Sequence, residues 1–402
     1  MNGNRRGCAV RGHETLVAPL RTIHLLIMVV LVALVALLSL LVVLLALYFR
    51  FAPRIGSNPA GARLARIQGS ANYRNGILHN LVPTDMNMPV ATMVKVMWSM
   101  LRGEKGREPV APLPVVPFDR AAWQRVPADE VAIAWFGHST VLIKIDGITF
   151  LTDPVFGERA STFTFAGPKR FAYTEHMCVE LLPQVDVVLL SHDHYDHLCY
   201  ETMQDLMRHR SSDGIRFIAA LGVGAHLEKW GVPSSSITEL EWWQQMDLGS
   251  VKLTFAPARH FTGRSMTNRF STLWGSFVLQ GRNKRLYFGA DSGYSPTFKE
   301  IGERFGPFDL ALLECGAYSE YWPHIHMFPE ETAQAALDLR AAVLMPIHWG
   351  KFALGLHPWK ESIERVTKRA GEIGLPLLTP RIGRIVTALD RSSSEAWWEN
   401  RE

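Results

Sequence analysis

Ser191-His192-Asp193-His194-Tyr195-Asp196-His197 follows directly on the apolar run Val187-Val188-Leu189-Leu190, and the reading of this stretch decides the rest of the chain. Three imidazoles and two carboxylates within six positions are too many hard-to-bury groups for an ordinary turn, since each would need its own partner or water. Metal ligation accounts for them together. In the pattern His-x-His-x-Asp-His, alternate residues of a short extended loop can aim at one ion, while the adjacent Asp-His pair turns toward a second.

Three other stretches share this grammar. Lys252-Leu253-Thr254-Phe255 is followed shortly by His260, Arg285-Leu286-Tyr287-Phe288-Gly289-Ala290 runs into Asp291, and Ala342-Val343-Leu344-Met345-Pro346-Ile347 runs into His348. Each is a short strand-like run that ends in one ligand-type side chain. Taken singly, each reads as a hydrogen-bonded loop residue. Beside the 192–197 cluster they read as ligands converging on one edge of a sheet assembly.

The order His192-x-His194-x-Asp196-His197, His260, Asp291, His348 resembles the metallo-β-lactamase superfamily. Longer stretches resemble the N-acylphosphatidylethanolamine-hydrolysing phospholipase D family and its bacterial relatives: Trp135-Phe136-Gly137-His138-Ser139-Thr140, Leu151-Thr152-Asp153-Pro154-Val155-Phe156, Gly167-Pro168-Lys169-Arg170-Phe171, Glu241-Trp242-Trp243, Phe305 to Ala311 and Ile347-His348-Trp349-Gly350. The resemblance covers roughly residues 70–385. It implies that His192, His194 and His260 hold one ion, that Asp196, His197 and His348 hold the other, and that Asp291 bridges them. Two zinc ions suit this nitrogen-rich set, whereas an all-oxygen set would suit magnesium or calcium. The resemblance further makes Tyr195 a substrate contact and gives His326 a place near the phosphate, where it could bind substrate or protonate the leaving oxygen. Packing is the plain alternative for Tyr195, and an ordinary loop histidine for His326. Asp153 is expected to orient a ligating histidine from behind, or to serve only as a turn residue before Pro154. His138 is expected as a buried, satisfied histidine near the site rather than a further ligand. Two departures lie beside this site: Glu314 stands where the animal enzymes have an apolar residue, and Ile325 precedes His326 where they have a polar one.

Lys+Arg 42 against Asp+Glu 38 leaves a net charge of only +4. That balance, with no basic stripe, argues against a nucleic-acid partner. Ile23 to Phe49 holds 27 residues with no formal charge at neutral pH, about 40 Å as a helix, which exceeds the roughly 20 residues that cross a bilayer. We read it as one transmembrane anchor; a signal peptide is the rival, with an apolar run of 7–15 residues the norm for one. Arginines flank it on both sides, Arg5, Arg6, Arg11 and Arg21 before and Arg50, Arg54, Arg63 and Arg66 after, so the side of the membrane is not assigned. Cys8, Cys178, Cys199 and Cys315 form no Cys-x-x-Cys pair and read as ordinary thiols.

The expected organisation is an N-terminal tail 1–22, the anchor 23–49, a connector 50–130, a hydrolase domain 131–390 and a C-terminal tail 391–402. Met86, Met88, Met93, Met97, Met100 and Trp98 mark an apolar segment of the connector, helical after Pro89, that packs on the domain or faces lipid. Pro109, Pro112, Pro114 and Pro117 then make a stiff extended strip. Strands are expected at 131–136, 141–145 and 148–152, with a hairpin at Asp146-Gly147, and at 187–190, 216–219, 251–255, 274–279, 285–290, 309–313 and 342–347. Helices are expected at 297–304, 329–339 and 358–370. Interleaved strands and helices point to a layered α/β protein, which the resemblance sharpens to an αββα four-layer sandwich. The expected activity is that of a membrane-bound phospholipase D-type phosphodiesterase with a phospholipid substrate. The alternatives are a lactonase or other small-molecule hydrolase on the same scaffold, and a non-catalytic zinc-binding membrane protein. A homodimer is compatible with all three.

Overall fold

Residues 17–103, 105–209, 214–265 and 267–399 are described by a computed structural model of the chain. Most of the expected N-terminal tail, with Arg5, Arg6, Cys8 and Arg11, lies outside these residues, as do 400–402. Contacts divide the chain into two units, Met1–Ala52 and Pro53–Glu402.

The first unit carries helix α1 (Val17–Phe51), a run of leucine, valine and alanine without an interior glycine. Over Thr22–Phe51 it is long and apolar enough to cross a membrane, a wider span than 23–49. It is the N-terminal apolar helix expected.

The second unit starts far earlier than residue 131. Helix α2 (Gly61–Gln68) and a small hairpin of β1 (Tyr73–Arg74) and β2 (Ile77–Leu78) place Ile67 and Leu78 in the hydrophobic core. Helices α3 (Val90–Arg102) and α4 (Arg120–Arg125) follow, and Trp123 of α4 is buried in that core. The proline strip is docked: the Leu113 N–H donates to Ala172 O and the Val116 N–H to Ile382 O. Residues 53–103 and 105–130 thus belong to the second unit, the domain-packed alternative for the connector: Ile67, Leu78, Leu113, Trp123 and Val126 join its core, while α3 keeps much of its apolar surface exposed.

Two mixed sheets form an α/β metallo-β-lactamase fold. In the first, β3 (Ala132–Trp135), β4 (Val141–Ile145) and β5 (Ile148–Thr152) are antiparallel, and β6 (Val187–Leu190), β7 (Arg216–Ala220) and β8 (Ile237–Leu240) continue in parallel. The β4–β5 turn is the expected Asp146-Gly147 pair, both at positive φ, as a two-residue hairpin requires. In the second, β9 (Gln245–Leu248), β10 (Val251–Ala256), β11 (Ser276–Gln280) and β12 (Arg285–Phe288) are antiparallel, and β13 (Leu310–Glu314) and β14 (Leu344–Ile347) are parallel. Strand β15 (Ile385–Thr387) returns to pair with β3. The apolar side chains of both sheets belong to one core. Helices α5 (Tyr200–His209) and α6 (Gly224–Lys229) accompany the first sheet, while α7 (Thr297–Phe305), α8 (Pro329–Asp338) and α9 (Glu361–Glu372) pack together beside β13 and β14.

Strands β6 and β14, buried along their whole length, read as unbroken apolar runs because both faces are covered. Some expected bounds shift. The run 285–290 ends at Phe288, and Ala290 already sits at φ +49 on the way to Asp291. Within the expected tail, the described residues 391–399 are docked, since Trp397 and Trp398 are buried and Trp397 stacks on Trp349 with centroids 5.2 Å apart. Losing that indole should remove a core-sized aromatic. Trp397→Ala is expected to lower unfolding stability by about 3 kcal/mol, read from urea denaturation in detergent.

Candidate metal centre

The C-terminal ends of four strands deliver the site. Loops leaving the C-terminal ends of β6, β10, β12 and β14 carry His192–His197, His260, Asp291 and His348 to a common edge. Two clusters form there. In one, His194 Nδ1 lies 3.0 Å from His192 Nε2 and 3.2 Å from His260 Nε2, and Asp291 Oδ2 lies 3.9 Å and 3.6 Å from the same two Nε2 atoms. In the other, Asp196 Oδ2 is 3.5 Å from both His197 Nε2 and His348 Nε2, and Asp291 Oδ1 is 3.0 Å and 3.1 Å from those nitrogens. Asp291 thus offers one oxygen to each cluster. All seven residues expected as ligands are brought together.

The residues behind them set the tautomers. Asp153, fully buried at φ +33, accepts from the Ser191 N–H (2.8 Å), the Ser191 hydroxyl (2.5 Å) and His197 Nδ1–H (2.8 Å). His197 therefore keeps its Nε2 lone pair inward. Because the Ser191 proton goes to Asp153, Ser191 Oγ accepts from His192 Nδ1 at 2.9 Å, and His260 Nδ1 donates to Ile325 O at 2.8 Å. These two histidines likewise aim unprotonated Nε2 atoms at the cluster. Burial holds both rings well below the ordinary imidazole pKa, which keeps them in the neutral form that ligates. Moreover, His197 Nε2, His348 Nε2 and Asp291 Oδ1 are buried without a hydrogen-bond partner. Inward lone pairs around a shared buried carboxylate make a seat that a cation satisfies and a hydrogen-bond network does not. The residues fit a binuclear metal site.

Asp153 accordingly does more than turn the chain. His138, the buried neighbour, holds Asp196 Oδ2 through Nε2 at 2.9 Å, and its ring lies 3.9 Å from that of His348. Burial first, then the His348 charge, lowers its pKa to about 3. Tyr195 donates its hydroxyl to Arg264 O (2.7 Å) and lies under the Arg264 guanidinium at 4.0 Å, which is the packing alternative. His326 stands at the rim, its ring 5.1 Å from His260 and 5.2 Å from His348. Asp193 turns away from both clusters to His226, Thr272 and the Gly263 N–H.

Two participants escaped the sequence reading. Asn80 brackets the backbone of His260, accepting from its N–H (3.1 Å) and donating to its O (2.8 Å); a lone asparagine so far upstream gives no signal. Glu314, noted only as a departure, is fully buried at the end of β13 with Oε2 2.6 Å from His326 Nδ1. Burial, reinforced by Asp291, raises its pKa well above the carboxylate range.

Comparison with known proteins agrees with this geometry. Residues 149–349 match the beta-lactamase superfamily domain. The chain is 39% identical over 348 residues to an uncharacterised protein of Mycobacterium tuberculosis, covering 86% of this chain and 91% of the other. It is 34% identical over 272 residues to the N-acyl-phosphatidylethanolamine-hydrolyzing phospholipase D 1 of Caenorhabditis elegans, covering 64% of this chain and 76% of that enzyme. The isothiocyanate hydrolase from Delia radicum gut bacteria shares the fold, with a TM-score of 0.52 at 18% identity over 63% of this chain and 98% of that one.

Asp153→Asn, which cannot serve all three donors, is expected to weaken metal retention roughly tenfold to a hundredfold, measured by elemental analysis after dialysis against a chelator. A pH effect follows from Lys351, buried three residues after His348 with Nζ on Phe136 O (3.2 Å) and Val155 O (2.5 Å). Burial pushes its amine down to about 7. The unfolded chain keeps that proton up to the ordinary lysine pKa of about 10.4, so it binds more protons across this window and stability rises with pH. Urea midpoints at pH 7 and pH 9 should show wild type gaining on the order of 2 kcal/mol relative to Lys351→Met.

Proposed function

This chain belongs to the metallo-β-lactamase superfamily, and on that premise we propose that it is a membrane-anchored, two-zinc phosphodiesterase of phospholipase D type. Its substrate in this reading is N-acylphosphatidylethanolamine or a related glycerophospholipid, cleaved to an N-acylethanolamine-like alcohol and phosphatidic acid. That it is a metal-dependent hydrolase related to those phospholipases rests on the family and the clusters. The finer reading rests above all on the likeness to the worm phospholipase over most of that enzyme's length.

His192, His194 and His260 would hold one ion, Asp196, His197 and His348 the other, with Asp291 between them. Two divalent ions there would supply a water acidified toward neutrality and would neutralise charge on the phosphodiester oxygens. Asp153 fixes the ring of His197, and His138 fixes the carboxylate of Asp196. His326, at the rim with Nδ1 engaged by Glu314, has Nε2 to offer the leaving oxygen.

Two features support a lipid substrate. The apolar helix Thr22–Phe51 suits an anchor, and α3 exposes Val90, Met93, Val94, Met97 and Trp98, with Arg102 lying over the Trp98 ring at 4.8 Å. Flexible methionines and an interfacial tryptophan suit contact with a lipid surface. Mass spectrometry of lipids released from N-acylphosphatidylethanolamine vesicles by the purified full-length protein tests the reading. Wild type is expected to yield phosphatidic acid, and Asp291→Asn to be at least about a hundredfold slower. Turnover of a lactone panel with none of the phospholipid would instead favour a small-molecule hydrolase, and turnover of neither a zinc-binding role.

A further inference from the structure

A carboxyl group buried beside a metal centre is expensive to keep charged, because desolvating a charge costs several kcal/mol unless its surroundings compensate. Glu314 occupies such a place with no exposed surface. Its Oε1 accepts from the backbone N–H groups of Ser292 (2.8 Å) and Met327 (3.4 Å), and its own carbonyl accepts from the Thr332 hydroxyl (2.7 Å). The carboxylate is thereby clamped from two loops. Its other oxygen is left to face His326 Nδ1 at 2.6 Å, with His348 Nδ1 more distant at 3.9 Å.

His326 needs such a clamp. It lies in the irregular segment between β13 and α8, with a side chain 12% exposed, and the ring contacts that hold it are edges of His260 and His348. A histidine on a loop meets a substrate atom reproducibly only when its ring plane is fixed. The clamp on Nδ1 does this and leaves Nε2 as the ring atom for a substrate contact.

We infer that Glu314 is a positioning residue for cleavage of unactivated alcohol esters, acting through the ring of His326. The inference rests on the phosphodiesterase reading above. In the step concerned, a water oxygen bonds to phosphorus as the phosphorus–oxygen bond to the alcohol breaks, and the bonding pair goes to the alcohol oxygen. The Glu314–His326 pair holds one proton between Oε2 and Nδ1 and a second on Nε2; the alcohol oxygen takes the second, and the proton released by the attacking water returns to the pair through solvent. An alkoxide leaves slowly without the proton from Nε2, whereas a nitrophenolate, stable as an anion at neutral pH, gains little from it.

The test compares two phosphatidyl esters in the same detergent micelles, N-acylphosphatidylethanolamine and the p-nitrophenyl ester of phosphatidic acid. They differ in the leaving group. Full-length wild type, Glu314→Gln, His326→Gln and the double variant are assayed, with metal content and melting temperature measured for each. Glu314→Gln is expected to lose about ten- to a hundredfold in kcat on the alkyl ester and under about threefold on the nitrophenyl ester, with KM and metal content unchanged. The double variant should be no slower than His326→Gln alone, as residues acting through one ring are non-additive. Equal losses on both esters, multiplying losses in the double variant, or loss of metal or stability in Glu314→Gln would each make Glu314 a structural prop and overturn the inference. Were wild type to cleave the nitrophenyl ester but no alkyl ester, the phospholipase reading would fail and take this inference with it. Cleavage of the alkyl ester with additive losses would sink the inference alone.

Discussion

One buried carboxylate governs how the metal centre is assembled. Asp153 gathers the backbone and hydroxyl of Ser191 and the ring of His197, so a single side chain of the β5 loop dictates the conformation of the loop that leaves β6. Through Ser191 its influence reaches His192 as well. Two imidazoles assigned to different ions are thus oriented by one anion, and their lone pairs are inward before any cation arrives. A ligand loop of this density would otherwise scatter its rings, since each has a hydrogen-bonding alternative nearby.

The legible parts of the sequence were those where chemistry is concentrated or where burial is uniform. His192 to His197 announced itself because no soluble turn carries such a set unpaid, and β6 and β14 because both faces are covered. What stayed hidden depends on partners distant in sequence. Strand β9, Gln245–Leu248, is too polar to read as a strand and exists because β10 offers it a register. Strand β15 is three residues long and needs β3. Asn80 and Glu314 have roles that only the folded positions of His260 and His326 define. The same reason misplaced the domain boundary: Ile67 and Leu78 look like surface residues of a linker until the core they complete is known.

That boundary matters for the metal loop. The backbone of Pro53, Arg54 and Ser57 is held by Trp230, Arg264 and His226 respectively. Arg264 also donates to Asp193 O and Leu198 O, and His226 bonds the Asp193 carboxylate. A segment outside the family's matched region therefore braces the far side of the His192–His197 loop. Gly56 belongs to this brace, for it sits at φ +74 and a Cβ there would meet His226 Nδ1 at 2.2 Å.

Some of the chain's backbone strain is gathered at the site. His138, Asp153, Ala290 and His348 all have positive φ, a conformation that costs a non-glycine residue on the order of 1–3 kcal/mol. Each is a member of the centre or the immediate neighbour of one, while other positive-φ residues, such as Asp146 and Arg340, serve turns elsewhere. The His138 N–H donates to Trp349 O and the His348 N–H to His138 O, both at 3.0 Å, so two of the strained residues are zipped to each other. Trp349 packs between Trp135 and Trp397. The C-terminal tryptophans that looked like a tail thus supply apolar burial beside the loop that carries His348, from a segment more than forty residues beyond that ligand.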